Sequence, residues 1–277
     1  MPHFEVERMG HLNHVAGDYA AARALYAGVF GADVFREWDE PHAGSSNALL
    51  LVGETCLELF GVTDPDGSVG RWMGRQGPGW HSLEWTLPSF EQAVTVTGEL
   101  GIRLTERVED AYVFTHPRDC HGLCLELTAA HFPGDARDEP GWAPTFWSDD
   151  QPLGVTGSPT VRVASRDAAG AARWLADVTG VEPSYEEGCP GLGGRAVGVV
   201  LAGHTLEFVE PIGDGPLRQF VEQRGERIHS LSLTVVDLGA ALAHLADLGV
   251  GVVPGAGASR FIDPAATLGG LIELAER

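Results

Sequence analysis

Short runs of alternating or continuous apolar residues recur along this chain, and several are followed by a stretch with helical period. After Asp18, the residues Ala22, Leu25, Tyr26 and Val29 fall at i, i+3, i+4 and i+7, one face of a helix. Asp18 is placed to cap that helix and Gly31 to end it. Leu49–Val52 and Thr55–Phe60 are apolar runs joined by Gly53-Glu54, which predicts a hairpin. A second unit opens with the strand Trp80–Leu87. Its helix carries Ala93, Val96, Thr97 and Leu100 before Gly101, and Leu123–Leu127 closes it. A third starts near Pro159, with the stripe Ala171, Trp174, Leu175, Val178 and the hairpin Val197–Leu201 into Thr205–Val209. The fourth opens at Ile228–Leu233, has a helix from about Asp237 to Leu248, and ends at Leu271–Leu274. Four strand–helix–strands units, paired two by two to bury their sheet faces, predict an α+β fold.

The units repeat. Asp18–Gly31 returns as Asp167–Gly180, and Glu58, His81, Gly101 and Glu126 return as Glu207, His229, Gly249 and Glu273. A stable offset over the whole chain is the mark of duplication. The expected layout is an N-terminal domain over 1–130, a linker over 131–156 rich in Pro, Trp, Asp and Gly that wraps the surface, and a C-terminal domain over 157–277.

Charge narrows the chemistry. The 277 residues carry a net charge of -21 and no lysine. Schiff-base catalysis is excluded, because its amine is absent. Nucleic acid is not an expected partner, and a large phosphorylated substrate such as a coenzyme A ester is disfavoured. No apolar run reaches the length of a membrane span, and Met1–Glu5 lacks the features of a signal peptide. Cys56, Cys120, Cys124 and Cys189 show no paired spacing. A cytoplasmic location fits.

Glu58, Glu126, Glu207 and Glu273 each interrupt an apolar strand, where a carboxylate must reach water, pair with a cation or bind a metal. His11 and His14 open the first strand and His81 opens that of the second unit. Two histidines with two carboxylates suit a divalent ion such as Zn, Ni, Co, Fe or Mn. In the second half Thr160 stands at the position of His11 and Val163 at that of His14, so a metal site is expected in the N-terminal half and a degenerate copy in the C-terminal half. Packing or capping at a strand start is the other reading of His81 and His229. Trp72, Trp80 and Trp85, with Trp38 and Tyr112, serve either as core or as the lining of a site for an aromatic molecule.

Four phrases carry a resemblance: His11–Asp18, Gly77–Leu83, Thr115–Leu127 and His204–Pro211. Together the chain resembles the vicinal oxygen chelate superfamily of glyoxalase I, methylmalonyl-CoA epimerase, extradiol dioxygenases and bleomycin-resistance proteins, as a two-domain tandem member. The resemblance implies four βαβββ units forming two glyoxalase-like cup domains, one of which holds one divalent metal. It places metal ligands at His11, Glu58 and Glu126, with His81 beside the remaining position. Where epimerase-like members have two adjacent histidines and ligate through the second, this chain has His81-Ser82. It further implies a metal-dependent isomerase or lyase acting on a small oxygenated molecule, aromatic or not, through two neighbouring oxygens, with Glu58 and Glu126 as catalytic carboxylates. Two alternatives stand beside it: a metal-free protein that sequesters a small molecule, and a non-haem metal oxygenase. No histidine precedes Tyr112 as the dioxygenase signature requires. The segment Ala43–Leu51 offers Ser45, Ser46 and Asn47 where the epimerases place a glutamate base. The expected partner is a small-molecule substrate, and the expected assembly a monomer, as an internal pseudo-dimer, or a homodimer.

Overall fold

The structure, a computed structural model, describes residues 2–143, 151–255 and 257–276. Sixteen strands and six α-helices lie among these residues. The first half runs β1 (Arg8–Ala16), α1 (Tyr19–Val29), β2 (Asp33–Glu40), β3 (Ser45–Val52), β4 (Thr55–Val62), α2 (Ser68–Gln76), β5 (Gly79–Thr86), α3 (Phe90–Glu99), β6 (Leu104–Val108), β7 (Tyr112–Thr115) and β8 (Leu125–Thr128). The second half repeats it as β9 (Val155–Ala164), α4 (Ala168–Thr179), β10 (Tyr185–Cys189), β11 (Gly194–Leu201), β12 (His204–Pro211), α5 (Pro216–Arg224), β13 (Arg227–Val235), α6 (Leu238–Asp247), β14 (Val252–Pro254), β15 (Arg260–Ile262) and β16 (Ile272–Glu276).

Each half forms one eight-stranded sheet, ordered β2-β3-β4-β1-β5-β8-β7-β6 in the first and β10-β11-β12-β9-β13-β16-β15-β14 in the second. Within every βαβββ module the helix returns the chain so that the first strand lies parallel to the last (β1 with β4, β5 with β8, β9 with β12, β13 with β16). That connection brings His11 and Glu58, 47 positions apart in the chain numbering, onto neighbouring strands. Asp18, Ser89, Asp167 and Asp237 each accept a hydrogen bond from the backbone N–H three residues on, capping the four module helices alike. Such a cap contributes about 1 kcal/mol.

The helices α2 and α5 lie beyond the single helix per unit that periodicity predicts. Each has nine residues, and each buries only two of them, Val69 and Gly70 in α2 and Leu217 and Val221 in α5. So short a stripe gives almost no periodic signal. Gly70 is dictated by space: a Cβ there would stand 2.3 Å from the Asp64 carbonyl oxygen.

Packing divides the chain into two compact units that each draw on both halves. One comprises residues 2–10, Ser82–His131 and Thr160–His229. Its centre is Trp85, fully buried, edge-on to Phe4 at 6.1 Å and donating its indole N–H to His204 Nε2 at 3.3 Å. The other comprises the described residues of 11–81, 132–159 and 230–277. There the Trp80 indole donates to the Leu271 carbonyl at 3.1 Å, and buried His14 is fixed between Tyr26 and Leu268. Tyr26 Oη lies 3.1 Å from His14 Nδ1, and His14 Nε2 lies 3.3 Å from the Leu268 carbonyl oxygen. Complete burial lowers the His14 pKa to about 4, so the ring is neutral and built into the core.

Strand alternation sets the faces of the first module. Leu12, His14, Leu57 and Leu59 share the face that meets α1, whose buried residues are Ala22, Tyr26 and Val29. The other face carries His11 and Asn13 on β1, Cys56, Glu58 and Phe60 on β4, Ser45, Asn47, Leu49 and Leu51 on β3, and Trp38 on β2. Part of the linker expected to wrap the surface instead folds back on this face. Phe132 and Ala136 pack against the cluster of Leu49, Leu51 and Cys56, and Asp135 is 2 % exposed. Residues 144–150 of that linker lie outside the described residues.

Candidate metal centre

The parallel register of β1 and β4 sets Asn13 opposite Glu58 and brings His11 Nε2 to 2.9 Å from Glu58 Oε2. The other carboxylate oxygen accepts a hydrogen bond from Asn47 Nδ2 at 2.7 Å, and Asn47 Oδ1 accepts one from the Ser45 hydroxyl, also at 2.7 Å. His11, Asn47, Ser45 and Glu58 are all buried, so Glu58 is held in one rotamer by neighbours on β1 and β3. Glu126 enters from β8 of the same sheet. One ligand atom from each of His11, Glu58 and Glu126 lies within 4.8 Å of the others.

An imidazole nitrogen and two buried carboxylates form the donor set of a divalent ion of hard or borderline character. Two buried carboxylates this close disfavour each other's charge unless a cation compensates both. The residues present therefore fit a metal.

Of the four candidate metal residues, the three placed by the resemblance and His81 beside the remaining position, the structure gathers His11, Glu58 and Glu126, and His81 is outside that group. The His81 ring packs edge-on to Trp72 at 5.1 Å and near Phe60 at 6.0 Å. Ser82, its neighbour on β5, is fully buried.

Two further polar groups were not singled out by sequence pattern. Asn47 stands in a polar patch before an apolar run, and only the β3–β4 pairing shows that it orients Glu58. Glu84 is fully buried and sits opposite Glu126 in the β5–β8 ladder. The Thr86 hydroxyl donates to Glu84 Oε1 at 2.9 Å, and the carboxylate fills the space over Gly10, where a Cβ would lie 2.1 Å from Oε1. The only sequence signal for Glu84 is an acid inside a strand, the criterion that picks out the four repeated glutamates.

In the second half, Thr160 replaces His11 and Arg162 stands opposite Glu207 where Asn13 stands opposite Glu58. The Arg162 guanidinium forms a close ion pair with Glu207, and the Tyr185 hydroxyl donates to Glu207 Oε1 at 2.8 Å. Ser232 and Ser259 both donate to Glu273. A fixed guanidinium thus compensates the carboxylate that corresponds to Glu58. A separate concavity of about 330 Å³ is lined by Arg166, Glu210, Pro211, Arg218, Val221 and Glu222. Its charges are largely engaged, Glu210 with Arg195 at 2.7 Å and Arg166 with Glu226 at 3.7 Å.

Among the described residues no helix is long and apolar enough to cross a membrane. All four cysteines are free, and burial pushes the Cys120 thiol up to about 12.

Residues 8–113 match the model of the Glyoxalase/Bleomycin resistance protein/Dioxygenase superfamily. Over 135 residues the chain is 31 % identical to the mitochondrial methylmalonyl-CoA epimerase of Bos taurus, covering 45 % of this chain and 77 % of the relative. It is 27 % identical over 130 residues to the ethylmalonyl-CoA/methylmalonyl-CoA epimerase of Cereibacter sphaeroides, covering 43 % of this chain and 97 % of that protein. A mutant of 4-hydroxymandelate synthase from Streptomyces coelicolor superposes with a TM-score of 0.73 over 98 % of this chain and 93 % of its own, at 17 % identity, a likeness of fold. The chain is therefore a member of the glyoxalase/bleomycin resistance/dioxygenase superfamily, with two glyoxalase-like domains in tandem.

Proposed function

We propose that this protein is a divalent-metal-dependent isomerase or lyase acting on a small molecule that presents two neighbouring oxygens. The observation that supports this reading is the convergence of His11, Glu58 and Glu126, all buried, with ligand atoms within 4.8 Å of one another. His11, Glu58 and Glu126 would hold the ion. Bound there, a divalent ion supplies a Lewis acid that stabilises negative charge developing on the two substrate oxygens. Asn47 and Ser45 keep Glu58 in place. Glu126, which comes from another strand, is the carboxylate we assign to moving a proton at the adjacent carbon, with Glu58 as the second candidate. The relatives named as epimerases favour proton transfer over oxygen chemistry. Whether the substrate is a coenzyme A ester is a separate matter, and the net charge of -21 weighs against one.

A metal-free pocket that sequesters a small molecule is the second reading. It draws on Glu58, whose two oxygens are already met by His11 and Asn47. Elemental analysis of the purified protein separates the two. About one Mn, Fe, Co, Ni or Zn per chain, lost in His11→Ala and in Glu126→Ala, supports the enzyme. No metal after incubation with salts of all five refutes it and leaves the pocket reading.

A further inference from the structure

The segment after β8 does more than connect the halves. Residues 132–138 lie across the face of the first module that carries His11 and Glu58. Asp135 caps a single 3-10 turn, Ala136–Asp138, by accepting from the Arg137 backbone N–H at 3.0 Å. The Arg137 guanidinium grips the same carboxylate, with Nη2 to Oδ2 at 2.7 Å, and reaches the Glu54 carbonyl in the β3–β4 turn at 3.4 Å. Asp135 is 2 % exposed, so this ion pair is enclosed and the turn is pinned to the hairpin. Gly134, at φ 94°, lets the backbone close over Phe35, whose carbonyl oxygen a Cβ would approach to 3.3 Å.

What the pinned segment presents is Phe132. Its ring centroid is 5.7 Å from that of His11, and it stacks on Trp38 at 6.5 Å with 19° between the planes. The Arg36 guanidinium covers both rings, 5.3 Å from the Trp38 centroid and 5.5 Å from that of Phe132. His11 is 1 % exposed. The neighbours that enclose its imidazole on this face therefore include an aromatic ring delivered from 121 positions further along the chain.

We infer that the strap of residues 132–138 is the roof of the candidate centre and that Phe132 sets both access to His11 and the size of ligand the centre admits. The inference about ligand size rests on the metal reading above; the inference about access does not. A ligand bearing its own aromatic ring would compete with Phe132 for the space beside His11 more than a small bidentate oxygen ligand would.

Two measurements test this on the full-length protein. In the metal-free protein, diethylpyrocarbonate modification of each histidine is followed by peptide mass spectrometry. Phe132→Ala is expected to raise the rate at His11 at least tenfold, while Phe132→Leu raises it less and His14, on the opposite face, does not change. Arg137→Ala, which releases the strap without touching the ring, is expected to raise the His11 rate as well. In protein loaded with cobalt, acetohydroxamate and benzohydroxamate are titrated by the visible absorption of the ion. Phe132→Ala is expected to improve benzohydroxamate binding relative to acetohydroxamate by at least tenfold. Unchanged His11 reactivity in both Phe132→Ala and Arg137→Ala overturns the roof. Cobalt binding with an unchanged hydroxamate ratio overturns the role in ligand size. A wild-type protein that takes up no cobalt refutes the metal reading and the ligand-size role that rests on it, while the modification rates still decide the roof.

Discussion

Replacing Arg162 by methionine tests whether Arg162 is the fixed cation that compensates Glu207, the second-half counterpart of Glu58. Glu207 is 4 % exposed and receives a close ion pair from Arg162 and a hydrogen bond from Tyr185 at 2.8 Å. Arg162 is itself nearly buried, with 12 % of its side chain exposed. Removing one partner of such a pair leaves the other charge enclosed and costs about 3–5 kcal/mol. The Tyr185 hydrogen bond to Glu207 is made in both proteins and cancels in the difference. A loss of about 3–5 kcal/mol is expected for Arg162→Met. With a urea dependence of about 2–3 kcal/mol per molar, the unfolding midpoint should fall by about 1–2.5 M. The companion double variant Arg162→Met/Glu207→Leu removes the charge as well as its partner and should recover most of the loss, since apolar replacement of a whole buried pair is near neutral. The assay is urea unfolding followed by far-ultraviolet circular dichroism. A midpoint shift below about 0.2 M, or a double variant no more stable than the single, refutes the view that Arg162 is the fixed cation of the second half.

Two other outcomes follow from the same geometry. Asn47→Leu should weaken metal binding by about 10–100-fold in a calorimetric titration, the usual consequence of removing a group that orients a ligand; unchanged affinity would mean that Asn47 does not position Glu58. Burial lowers the pKa of both His14 and His204 to about 4, from an ordinary value near 6.5. The unfolded chain then binds the extra protons between these values, so stability is complete above pH 6.5 and falls as the pH drops toward 4, by up to about 1.4 kcal/mol per pH unit for each histidine. His14→Gln should flatten that dependence relative to the wild type in thermal unfolding across pH 4 to 7, and parallel curves for the two proteins would contradict the assignment.

Amino-acid order alone was enough for the elements that repeat. The stripe after Asp18, the Gly53-Glu54 turn and their copies 149 positions on define modules whose cores are local, because alternation and helical period are properties of neighbouring residues. The acids Glu58 and Glu126 also stood out, since a charge inside an apolar strand is visible without knowing what faces it. Other decisions belong to the tertiary structure alone. His11 and His14 are three positions apart in one strand, yet one faces Glu58 and the other is locked between Tyr26 and Leu268, because alternation assigns faces only once a partner strand and helix are fixed. Asn47 and Glu84 gained meaning from strand register, which no single strand encodes. Packing of the first module with the fourth and the second with the third cuts across the boundary that duplication suggests, because a module buries its face against whichever partner the connections allow. The return of Phe132 over His11 was equally hidden. A segment rich in Pro, Gly and Asp reads as a surface connection until a buried Asp135–Arg137 pair ties it to a turn more than eighty positions earlier.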